Sequence, residues 1–172
     1  MVKCNGKPFL EYILAQLAEV GIKKFLLLTG YLGEQIEDYF LDGKNWGWEI
    51  DYHLGSVDWE TGKRVWESKH KIEKEFMLLY SDNFVQFPAE EMLASHEKGK
   101  LPITLMLSKK SPGNIRINEK CIVQEYNANR SKILPYVEIG YMLVRKSEFF
   151  EWVSGSNTSL SKILSRMAAN QK

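Results

Sequence analysis

The chain has 172 residues, 44% hydrophobic and 26% charged, a size and balance that suit one domain over residues 1–172 with a sizeable core. Its 23 basic and 22 acidic side chains leave a net charge of +1 and are interspersed, so the electrostatic footprint of a nucleic-acid or membrane-surface partner is absent. Two separated cysteines, Cys4 and Cys121, have no Cys-x-x-Cys spacing and point to a reducing, cytoplasmic setting, while no apolar run approaches the roughly 20 residues of a membrane span and MVKCNGKPF lacks the apolar core of a secretory signal.

In chain order, GKPFLEYILAQLAEVG places Leu10, Ile13, Leu14, Leu17 and Val20 at the spacing of a helix buried on one face. Pro8 suits its first turn and Gly21 its end. The apolar run Phe25 to Leu28 reads as a strand covered on both faces, and Leu32 to Phe40 as a second helix closed by Asp42 and Gly43. WGWEIDYHL alternates Trp48, Ile50, Tyr52 and Leu54 with Glu49, Asp51 and His53, the pattern of a half-buried strand near a sheet edge. A short helix is expected within residues 62–73. EFMLLYSDNF then supplies a further strand, whose apolar run from Phe76 to Tyr80 stops abruptly at Ser81, Asp82 and Asn83.

The alternation of helix and strand argues for an α/β fold with a largely parallel sheet. Such sheets bind ligands outside the carboxyl ends of their strands, and Asp82 stands at that place. The second half changes character. It comprises a helix from Pro88 to Lys98, a strand from Ile103 to Ser108, a hairpin made of NIRIN and CIVQEY, a strand YVEIGYMLV and two terminal helices. A hairpin added to a parallel sheet makes the sheet mixed.

Chemistry-bearing clusters are few. His53, His70 and His96 are scattered, with no i, i+4 pair and no neighbouring cysteine, which argues against zinc and against a Ser/His/Asp triad. Trp46, Trp48, Trp59 and Trp66 suit packing better than stacking on a ligand, and Glu90 with Glu91 suits a helix amino terminus better than a catalytic pair. Asp82 has an ordinary reading as a turn former and a functional one as a hard oxygen ligand for Mg²⁺, an ion that takes one or two carboxylates plus substrate phosphates.

Several of these segments together resemble one family. NGKPFLEYILAQLAEVGIKKFLLLTGYLGEQIEDYF, then Glu60-Thr61-Gly62, then FMLLYSDNF occur in the order and spacing of the sugar-phosphate nucleotidyltransferases, and VEIGYMLV and SLSKILSRM continue the likeness more weakly. Within the family the chain resembles the heptose-phosphate and related guanylyltransferases. The resemblance implies a three-layer α/β/α Rossmann-like nucleotide-diphospho-sugar transferase fold with a mixed, mainly parallel sheet. It implies transfer of a nucleotidyl group from a nucleoside triphosphate to a sugar 1-phosphate, giving a nucleotide-sugar and pyrophosphate, with Mg²⁺ as cofactor and no covalent enzyme intermediate. By position, Asp82 would be the catalytic, metal-binding aspartate. Thr61 and Gly62 would form a turn approaching the nucleotide base, and Glu138 and Gly140 would lie beside the sugar.

The sequence also departs from the family's pattern. The Gly-x-Gly-Thr-Arg loop and the Pro-Lys-Pro segment that normally come before the first helix are not in the chain, and Met1 aligns just after them. The second metal aspartate of the family falls beyond Lys172. Lys7 belongs to a segment that opens the first helix and is assigned a structural role. Asn127 and Ala128 stand where relatives carry a phosphate-contacting lysine, leaving Arg130 and Lys132 as substitutes. A sheet without the family's first strand would expose strand edges and favour a homo-oligomer. Two rivals follow. One is a non-catalytic nucleotide- or sugar-binding or assembly module that retains the fold. The other is a glycosyltransferase, against which Asp82-Asn83-Phe84 stands in place of Asp-x-Asp.

Overall fold

The apolar runs of the sequence become strands whose successive side chains enter opposite cores, and the amphipathic segments become helices that cover both faces. A computed structural model describes residues 1–170. A short hairpin, β1 (Lys3–Cys4) with β2 (Lys7–Pro8), leads into α1 (Phe9–Glu19). β3 (Lys24–Thr29), α2 (Glu34–Phe40), β4 (Glu49–Leu54), α3 (Thr61–Glu67) and β5 (Glu75–Leu79) follow. The second half consists of α4 (Ala89–Gly99), β6 (Ile103–Lys109), β7 (Gly113–Ile117), β8 (Val123–Ser131), β9 (Tyr136–Arg145), α5 (Lys146–Phe149) and α6 (Leu160–Ala169). Among the described residues no helix is long and apolar enough to cross a membrane.

The layering is α/β/α. On one face Ile13, Leu14 and Leu17 of α1, Phe40 of α2 and Met92 of α4 pack on Phe25, Leu27, Met77, Leu79, Tyr141 and Leu143. On the other, Val65 of α3, Phe149 of α5 and Ile163, Leu164 and Met167 of α6 pack on Leu28, Phe76, Leu78, Met142 and Val144. The period-2 alternation within β3, β5 and β9 is therefore what joins the two cores through one layer. Trp46 and Trp48 stack at 5.5 Å beside Phe40, the packing role read from the sequence. Lys7 donates to the buried Glu11 at 2.7 Å, and Tyr39 donates to the other Glu11 oxygen at 2.7 Å. Lys7 thus serves structure, by neutralising a carboxylate that ties α1 to α2.

The sheet is mixed, as expected, but parallel pairing is confined to β3 and β4. β9 is the centre of a five-stranded antiparallel sheet, with β5 on one edge, β6 on the other, and β7 followed by β8 beyond its amino end. β3 and β5 feed the same two cores, yet β3 bonds only to β4 and β5 only to β9 among the described strands. The ion pair of Lys24 with Glu73, at 2.8 Å, joins the starts of these two strands where no ladder does. β4 is an edge strand, as its half-polar alternation implied.

Candidate active site

The abrupt end of the apolar run at Tyr80 delivers residues 80–83 across β9. The Tyr80 amide donates to the Gly140 carbonyl at 3.0 Å. The Asn83 side chain donates to the Ile139 carbonyl at 3.3 Å, and Tyr141 Oη donates to the Asn83 carbonyl at 3.3 Å. β9 is distorted to receive this segment. Leu105 and Leu107 of β6 stand opposite Met142 and Glu138, so three residues of β9 are accommodated where β6 has one. This is a bulge, a device that re-aims side chains beside functional sites. Gly140 lies in it at φ +84°, and a Cβ there would come within 2.9 Å of the Tyr80 ring. Both the backbone angle and the space call for glycine.

The bulge turns Glu138 toward Tyr80 and Tyr126. Its Oε1 accepts from the Gly140 amide, its Oε2 accepts from Tyr126 Oη at 3.4 Å, and its own amide donates to Asn114 Oδ1 at 3.3 Å. Burial holds the Glu138 carboxyl above the usual carboxylate range, with the Asp82 charge adding in the same direction. Burial likewise pushes the Tyr126 phenol up to about 12 and raises the Tyr80 phenol. Asp82 is exposed beside this half-buried carboxyl. Two carboxyls thus share one end of the sheet, one open to solvent and one enclosed.

Asp82, Glu138 and Gly140 are therefore brought together. Thr61 and Gly62 are engaged by the fold itself: Thr61 Oγ1 accepts from the Leu160 amide at 2.8 Å, and a Cβ on Gly62 would lie 2.5 Å from the Thr158 carbonyl oxygen. They hold the start of α3 against the start of α6. Arg130 and Lys132 are exposed at and just beyond the end of β8; the Lys132 carbonyl accepts from Ser111 Oγ, and neither side chain joins the Glu138 group. Sequence reasoning missed Arg64, whose guanidinium donates to the carbonyls of Thr29 at 2.8 Å, Ser56 at 2.7 Å and Trp59 at 3.2 Å. It pins the loop after β4 to the carboxyl end of β3. Tyr126, Tyr80 and Asn114 were missed as well, because only the pairing of β5, β7 and β8 around β9 assembles them.

Among the described residues no group of three or more His, Cys, Asp or Glu side chains is placed to hold a metal ion. Asp82 has the chemistry of one carboxylate ligand in a Mg²⁺ site completed by substrate phosphates. The histidines serve packing: His96 is buried with Nδ1 at 2.7 Å from Thr104 Oγ1, and His53 lies against Trp59.

The mixed α/β/α architecture is shared with solved structures. The chain superposes on the crystal structure of HddC from Yersinia pseudotuberculosis with a TM-score of 0.80 at 17% identity, covering 94% of this chain and 72% of that one. Residues 1–115 match the nucleotidyl transferase family, and the chain belongs to that family. It is 26% identical to a D-glycero-alpha-D-manno-heptose 1-phosphate guanylyltransferase of Campylobacter jejuni, over 95% of this chain and 74% of the relative. It is 31% identical to a protein of the same name from Aneurinibacillus thermoaerophilus, over 62% of this chain and 46% of that relative.

Proposed function

We propose that this chain carries the catalytic core of a sugar-1-phosphate nucleotidyltransferase. The observation that carries the reading is the convergence of Asp82, Glu138 and Gly140 where β5 ends against the bulge of β9. A phosphate oxygen of the sugar 1-phosphate attacks the α-phosphorus of the nucleoside triphosphate in line, and pyrophosphate leaves. The protein's part is to position the two substrates and offset their charge. Asp82 would hold a Mg²⁺ ion, which when bound neutralises charge on the triphosphate. Glu138 and the Gly140 backbone face the sugar. The relatives' names support GTP and a heptose 1-phosphate as the first substrate pair to test.

The test is release of pyrophosphate with Mg²⁺, each nucleoside triphosphate and a panel of sugar 1-phosphates. Asp82→Ala is expected to lower kcat at least about a hundredfold, the scale of losing one electrostatic stabiliser; turnover within threefold of the unaltered chain sinks the assignment of Asp82. The edges of β3 and β5 that pair with no strand among the described residues favour a second reading, an assembly module that self-associates through them. On that reading Asp82→Ala changes neither ligand binding nor oligomeric state.

A further inference from the structure

On the α6 side of the sheet three strands converge on one carboxyl group. Glu138 of β9 accepts from Tyr126 of β8 on one oxygen and from the Gly140 amide on the other, and Tyr80 at the end of β5 lies beside both. The two donors differ in kind. The Gly140 amide is fixed by the backbone, whereas the Tyr126 phenol reaches Glu138 from two strands away, across β7. Tyr126 is only 5% exposed and its ring belongs to the apolar core against α6, where phenylalanine would pack equally well. A hydroxyl in such a place costs free energy unless it is partnered; Ser161 of α6 and Asn114 of β7 lie beside it, and Glu138 is the carboxylate it donates to, at 3.4 Å.

We infer that Tyr126 is a positioning residue. It orients the Glu138 carboxyl to accept a hydroxyl of the sugar, and so makes the site selective for sugar 1-phosphates that carry that hydroxyl over deoxy analogues. The inference rests on the reading that Glu138 and Gly140 face the sugar. Selectivity arises because a polar group built to receive a hydroxyl is left unpaired by the analogue that lacks it.

Calorimetric binding tests this without requiring turnover. The titrants are heptose, mannose and glucose 1-phosphates, the monodeoxy analogues of whichever binds, and GTP. Tyr126→Phe is expected to weaken the parent sugar 1-phosphate about tenfold, to leave one monodeoxy analogue and GTP unchanged, and to add no further loss on a Glu138→Gln background. Parent affinity within twofold of the unaltered chain in Tyr126→Phe overturns the inference while the proposed function stands. So does an equal loss for the parent, every analogue and GTP, the mark of a general structural defect. Failure of the unaltered chain to bind any of these sugar 1-phosphates overturns both.

Discussion

Replacing Arg64 with methionine keeps an unbranched apolar stem, ends it short of the guanidinium and removes three hydrogen bonds at once. The guanidinium donates to the carbonyls of Thr29, Ser56 and Trp59, and bonds of a charged donor contribute about 1.5–3 kcal/mol each. Two discounts apply. The Thr29 carbonyl keeps a second donor, the Gly55 amide at 3.0 Å, and the Ser56 bond is exposed, so water replaces part of it. Packing adds in the other direction: the guanidinium comes within 2.8 Å of the place a Cβ would occupy on Gly30 and within 3.1 Å for Gly55, so both glycines leave room for this side chain and a thinner one leaves a gap. The net expectation is a loss of about 3 kcal/mol in urea unfolding, a fall in Tm of about 6–12 °C for a chain of this size. Arg64→Lys, with one ammonium in place of the fork, restores only part. A loss below about 1 kcal/mol for Arg64→Met would refute the view that the loop after β4 is held to β3 by this side chain.

Two further outcomes concern stability. Gly62→Ala places a methyl group 2.5 Å from the Thr158 carbonyl oxygen and is expected to cost about 1–3 kcal/mol by overpacking; thermal unfolding within 1 °C of the unaltered chain would show that α3 and α6 yield freely. His96 has its pKa lowered from 6.5, first by burial and then by the Arg145 charge, so the folded state favours the neutral ring. Its contribution is present above the unfolded value of 6.5 and is lost as pH falls through the lowered folded one. His53, lowered by burial and by His70, acts in the same sense. Stability measured on descending from pH 7 should therefore decline, and less steeply in His96→Gln; identical slopes would remove His96 from the account.

Periodicity and punctuation made much of the fold legible. The eight-residue span from Leu10 to Leu17 has the rhythm of a helix, Phe25 to Leu28 and Phe76 to Leu79 are too short and too apolar to be anything but covered strands, and Asp82 announces itself where such a run breaks into polar residues. These are local properties, set by side chains within a few residues of one another. The hairpin of Lys3–Cys4 with Lys7–Pro8 escaped notice because two-residue strands carry no period.

What the sequence by itself determined is the order of elements, their faces and the place of Asp82, since each follows from the chemistry of adjacent residues. Tertiary structure decided the rest. The restriction of parallel pairing to β3 and β4, the bulge that turns Glu138 toward Tyr126, the use of Thr61 and Gly62 to seat α3 on α6, and the three carbonyls gathered by Arg64 all depend on register between segments that are distant in the chain. Register is chosen by the joint packing of two cores, and a one-residue slip would exchange every side chain between them.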